Sequence, residues 1–196
     1  MIFNRRGICL LAATLLLSAC AASPQPRYYT LGLPTAADNG DGSVGDKAYN
    51  IAVGPIAIPE VVDRPQIVLQ TGPNQVAILE EHRWAQPLKS EIARFIAASL
   101  TEALTDAWVT DSHQRTGRNI DYQLSIDVQR FESLPREAVT VEAQWVVRRA
   151  ANGETKKGKS LVRESVNHDS YDALVAAHAR AFESVSREIA AAVKSF

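Results

Sequence analysis

Apolar and polar residues alternate most regularly where Ile120, Tyr122, Leu124, Ile126 and Val128 are separated by Asp121, Gln123, Ser125, Asp127 and Gln129. A period of two sends successive side chains to opposite faces, so this stretch predicts a strand with one buried and one wet face. Val139, Val141, Ala143, Trp145 and Val147 repeat the pattern, and after the Asn152-Gly153 turn a shorter strand is expected over residues 160–167. The three are expected to run antiparallel as a meander. Further upstream, Tyr28-Tyr29-Thr30-Leu31 and residues 49–58 read as strands, and residues 66–70 and 75–80 flank a hairpin turn, Thr71-Gly72-Pro73-Asn74.

Two segments change to helical spacing. From Pro87, the residues Leu88, Ile92, Phe95, Ile96, Leu100, Ala103, Leu104 and Ala107 recur every three or four positions, predicting an amphipathic helix of about twenty residues with Pro87 in its first turn. At the other end Tyr171, Val175, His178, Phe182, Val185, Ile189, Ala192 and Phe196 form a second seam, with Asp169 or Ser170 placed to cap it. Strands, helix, strands, helix is the order of an α+β fold. The expected architecture is a largely antiparallel sheet with two amphipathic helices packed on one face.

The first residues belong to no such element. Arg5 and Arg6 precede an apolar run through Leu17, which has the layout of an export signal. The run is about ten residues, half of what a membrane-spanning helix takes. It ends Leu17-Ser18-Ala19-Cys20, the small-residue-plus-cysteine pattern of a bacterial lipobox, so residues 1–19 are expected to be removed and Cys20 to carry the acyl chains. Each buried methylene is worth about 0.8 kcal/mol, and several chains together hold a protein on a bilayer. Ala21, rather than the Asp that retains lipoproteins at the inner membrane, points to the outer membrane, on its periplasmic side. Residues 20–27 read as a tether and 28–196 as one domain.

Composition narrows the chemistry. The 196 residues less the first 19 leave 177, enough for one core. Those 177 carry 19 Lys and Arg against 22 Asp and Glu, a net charge of −3 that gives no pull toward nucleic acid. Cys9 leaves with the signal and Cys20 is consumed by lipid, which removes disulfides, cysteine metal sites and a cysteine nucleophile. His82, His113, His168 and His178 lack the spacing of helix-borne metal ligands, and His178 lies on the apolar seam. Ser43 lies between Gly42 and Gly45 but lacks the glycine spacing of a nucleophile elbow. No cofactor, metal or catalytic residue is expected.

Residues 153–160 match the P-loop pattern by letter, but residues 161–166 read as strand, whereas a phosphate-binding loop must enter a helix. The glycines then serve a hairpin, and Lys156, Lys157 and Lys159 at its tip are solvated or meet anionic headgroups. Glu80, Glu81, His82, Arg83 and Trp84 form a polar and aromatic cluster before the first helix, read as a turn that meets a partner.

Residues 54–68 (GPIAIPEVVDRPQIV) and 81–88 (EHRWAQPL), with the early Tyr28-Tyr29-Thr30-Leu31 and the final helix, resemble the PqiC family. These are auxiliary lipoproteins of paraquat-inducible, MCE-type intermembrane transport systems. The resemblance implies a non-enzymatic subunit that meets a periplasmic MCE tunnel protein and, through it, an inner-membrane component, to move lipid between membranes. It marks Arg64 and Trp84, in the matching motifs, as candidates for partner docking or for structure. Asp63-Arg64-Pro65 reads equally as a strand-to-loop corner. Homo-oligomerisation around a tubular partner is a further expectation. The alternative is a non-transport envelope assembly or cell-wall-associated binding lipoprotein.

Overall fold

The computed structural model describes residues 25–34, 48–111 and 119–196; Cys20, Ala21, Ser43 and His113 lie outside the described residues. The fold is α+β. In chain order the elements are β1 (Arg27–Tyr29), β2 (Tyr49–Ala57), β3 (Gln66–Gly72), β4 (Gln75–Trp84), α1 (Leu88–Ala103), β5 (Ala107–Asp111), β6 (Tyr122–Leu134), β7 (Ala138–Arg149), β8 (Thr155–Ser165) and α2 (Tyr171–Lys194). They form two sheets, a five-stranded one ordered β5-β2-β6-β7-β8 and a three-stranded one ordered β1-β4-β3.

The longest ladders, β6–β7 and β7–β8, are antiparallel, as the period-two stretches predict. Their inward residues Leu124, Ile126, Val128, Val139, Val141, Ala143 and Val147 are all buried. Both helices cover that face. Helix α1 packs on β2 and β5, α2 packs on β7 and β8, and the two helices touch each other. Burying a large side chain such as Phe182, Ile92 or Leu100 stabilises by about 1.5–3 kcal/mol, and one cluster of such residues runs from Tyr29 to Val193.

Several boundaries differ from the sequence expectation. Strand β6 continues six residues beyond Val128, because a register shift between Val128 and Arg130 moves Phe131 and Ser133 onto the face that Val128 had occupied. A bulge of this kind breaks strict alternation without ending the strand. Helix α1 stops at Ala103, and Ala107 opens a short strand, β5, parallel to β2. Pro87 stands just outside α1 as its N-cap, with its carbonyl accepting from Ser90 and Glu91. β2 also runs parallel to β6, and β1 parallel to β4, so parallel pairs join the expected antiparallel ones.

Strand β8 starts at Thr155 rather than 160, which places Lys156, Lys157, Gly158 and Lys159 in a ladder with β7 instead of at a loop tip. Trp145 faces Gly158 and lies across it, at a place where a Cβ would come within 2.3 Å of the indole. That glycine is therefore explained by a tryptophan, not by a phosphate. The indole N–H donates to Ser160 (3.1 Å), and the Ser160 hydroxyl donates to Glu188 on α2 (2.5 Å), tying the edge strand to the helix layer.

Candidate functional site

The two sheets meet along β3 and β6, and a cleft of about 1160 Å³ opens at one end of that junction. Strand β1 brings Arg27 and Tyr29, and β3 brings Leu69, its last residues Thr71 and Gly72, and Pro73 of the turn that follows. Strand β6 brings Arg130, Glu132 and Leu134. Arg163 comes from β8, and the first turn of α2 supplies Tyr171, Asp172 and Leu174. The floor is apolar, built from Leu69, Val166 and Leu174, which are buried, and the half-buried Leu134.

Local chemistry shapes the rim. The β6–β7 connection is a turn with Pro135 at its second position, closed by Glu137 N–H to the Leu134 carbonyl (3.2 Å). Its third position, Arg136, has φ of 61°, a conformation that glycine or asparagine adopts more readily. The Arg136 guanidinium is held by Asp169, and that hydrogen bond keeps the Asp169 carboxyl below its usual range. Ser170 caps α2 by accepting from Ala173 N–H (3.1 Å), so Asp172 falls in the first turn, where the helix dipole favours an anion. Two further pairs, Arg130 with Glu132 (2.8 Å) and Arg163 with Glu137 (2.5 Å), occupy most of the remaining charge.

At the inner wall Tyr29 hydroxyl and His82 Nδ1 are 2.8 Å apart, and the rings of His82 and Tyr171 lie 3.9 Å centre to centre. Burial, and then the nearby Asp172 carboxylate, raise the Tyr29 hydroxyl above its ordinary pKa, while Arg27 acts in the opposite direction. Among the described residues no group of three or more His, Cys, Asp or Glu is placed to hold a metal ion.

The residues 80–84 are not a turn. They continue β4, pairing with β1 on one side, and a register shift against β3 turns His82 and Trp84 inward. Trp84 is buried, with Phe131 edge-on at 6.1 Å, and its backbone N–H donates to the Pro65 carbonyl (2.7 Å). Arg64 precedes that proline at a tight corner, where Val62 N–H donates to the Pro59 carbonyl (3.0 Å). Its side chain is half-buried and its Nε has no partner among the described residues, while the neighbouring Asp63 pairs with Lys89 (2.6 Å). The bond that anchors Trp84 is thus made to Pro65, the residue after Arg64, while the Arg64 backbone N–H donates to the Val62 carbonyl (2.9 Å). Val61, Val62, Val68 and Val76 line a shallow pocket of about 160 Å³ on the outer side of this corner.

The sequence model of the family described as "ABC-type transport auxiliary lipoprotein component" matches residues 29–190. The chain belongs to this family. Its members are transport auxiliaries rather than enzymes, so this is a transport accessory lipoprotein, membrane-associated as a member of that family. No helix among the described residues is long and apolar enough to cross a membrane. Two solved structures share the fold: an uncharacterized protein (TM-score 0.72, 22% identity, 86% of this chain and 99% of that one), and protein XCC0632 from Xanthomonas campestris (TM-score 0.63, 19% identity, 83% and 92%). Comparison with curated proteins finds no match.

Two buried polar groups had only partial signals in sequence. His178 sits on the expected seam, but its partner, Ser133 Oγ at 2.8 Å from Nε2, lies 45 residues away. Its ring stacks on Phe131 at 3.9 Å, and burial lowers its pKa to about 3, so it is neutral. Glu91, fully buried on α1, accepts Leu31 N–H (3.1 Å) and both carboxylate oxygens receive Arg94 (2.9 Å). Only the fold shows that Glu91 faces inward.

Proposed function

We propose that this transport accessory is the lipid-anchored periplasmic subunit of an MCE-type system, held at the outer membrane through Cys20. Its folded domain docks the far end of the tunnel protein. The tunnel leads to an inner-membrane component, and the assembly supports lipid movement between the membranes. The observation that carries the docking surface is the set of exposed apolar side chains at the corner before Arg64 and on β4, where Val61 and Val76 line one pocket with Arg130. Val61, Val76 and Ile78 are 42%, 45% and 40% exposed, and Val61 lies in the segment that resembles the PqiC family, with Val76 and Ile78 on the hairpin strand between its two matching motifs. Exposed apolar side chains grouped beside a cationic group are the usual composition of a protein-binding patch.

Crosslinking in intact cells tests this reading. The wild-type chain should recover an MCE protein, and Val76→Asp combined with Ile78→Asp should abolish recovery while circular dichroism stays unchanged. Recovery without any MCE protein would sink the proposal. Cys20→Ala should be exported yet leave the membrane fraction, and its retention in that fraction would count against the anchor. Arg64→Ala separates docking from structure: it should lower the crosslink yield with stability changed by less than about 1 kcal/mol.

A further inference from the structure

We infer that the cleft between the two sheets receives a phospholipid with a zwitterionic, ammonium-bearing headgroup, drawn from the membrane to which the chain is tethered. This rests on the lipoprotein reading proposed for the chain and names what the domain handles there.

The cleft has the two halves such a ligand requires. Its floor is aliphatic, and its volume of about 1160 Å³ is at the upper end of ligand pockets, room for a headgroup and a length of acyl chain. The rim carries Arg27, Arg130, Arg136 and Arg163 against Glu132, Glu137, Asp169 and Asp172, which is electrically balanced. Three of these pairs already hold one another. That leaves Arg27, whose side chain hydrogen-bonds Tyr29, and Asp172, neither with an ion-pair partner within 4 Å among the described residues, and both near enough to the Tyr29 hydroxyl to act on it.

One spare cation and one spare anion at the mouth of a cleft with an aliphatic floor match a ligand that presents a phosphate and an ammonium together. A purely anionic headgroup could pair its phosphate with Arg27 but would leave Asp172 facing that charge without a cation of its own. Like charges juxtaposed at a binding site disfavour the wrong ligand.

Position supports the same occupant. Arg27 follows Cys20 by seven residues, a span of at most about 25 Å when fully extended. The cleft wall that Arg27 forms is therefore held within that distance of the anchored bilayer.

The test uses the full lipoprotein extracted in mild detergent. Phospholipid that co-purifies is quantified by mass spectrometry, and fluorescent lipid uptake is measured from vesicles of phosphatidylethanolamine or of phosphatidylglycerol. Phosphatidylethanolamine should co-purify and be taken up in preference. Asp172→Asn should reduce that preference roughly tenfold, the factor of one charge-assisted hydrogen bond. Leu134→Trp should fill the floor and stop uptake of both lipids with circular dichroism unchanged. Equal uptake of the two lipids by the wild type, or unchanged preference in Asp172→Asn, would overturn the assignment. Crosslinking to the MCE protein, run on the same strains, keeps the readings apart. Selective uptake without a crosslink refutes the docking and leaves the lipid site standing; a crosslink without selective uptake does the reverse.

Discussion

Replacing Gly158 by alanine probes the contact that explains the glycine-rich stretch at the start of β8. The new Cβ would sit 2.3 Å from Trp145 Cζ2 and 2.7 Å from both Cε2 and Cη2, distances that no rotation of a methyl group relieves. The indole is 7% exposed and held by its bond to Ser160, so it must move and take the Ser160–Glu188 link with it. Overpacking of this kind costs about 1–3 kcal/mol, and the disturbed hydrogen bond adds about 1. Loss of glycine's freedom in the unfolded chain returns about 0.4–1 kcal/mol. The net expectation is destabilisation of about 2 kcal/mol. With a urea slope of about 2 kcal/mol/M, the unfolding midpoint should fall by roughly 1 M in a titration followed by circular dichroism. Trp145→Phe in the same chain should cost less than the sum of the two single changes, because the atoms that clash are then gone. A midpoint unchanged by Gly158→Ala, or strict additivity with Trp145→Phe, would refute the packing argument.

His178 predicts a pH dependence. Its folded-state pKa of about 3 lies below the ordinary 6.5, so the unfolded chain takes up a proton that the folded chain refuses. Stability is full above pH 6.5 and declines as pH falls toward 3, by about 2 kcal/mol between pH 7.5 and pH 5. His178→Gln, which can keep a hydrogen bond to Ser133, should flatten that slope in urea titrations at the two pH values. Glu91→Ala should cost about 2–3 kcal/mol, because it strands the Leu31 amide and the Arg94 guanidinium, and hydrogen exchange at Leu31 should accelerate. An unprotected Leu31 amide in the wild type would contradict that bond.

Sequence alone determined whatever depends on periodicity and on short-range chemistry. The alternation around Leu124 and Val141, the heptad-like seam of α2, a turn at Pro73-Asn74 and a cap at Asp169 or Ser170, of which the structure uses Ser170, are each decided by neighbours within a few residues, so they are legible along the chain. The family resemblance rests on the same kind of local string, and the matched model spanning residues 29–190 agrees with it at the level of a transport auxiliary lipoprotein.

Tertiary structure decided everything that depends on which distant segments meet. The bulge after Val128 shifts Phe131 and Ser133 inward and hides the last third of β6 from a period-two reading. Short strand β5 exists because β2 offers it an edge, and Glu80 to Trp84 become strand because β1 and β3 flank them. Gly158 means a P-loop by its letters and a seat for Trp145 by its contacts. The cleft is the extreme case. Arg27, Leu69, Leu134, Arg163 and Asp172 are spread over about 145 residues of chain and share no spacing, and only the meeting of two sheets with the start of α2 puts them around one space.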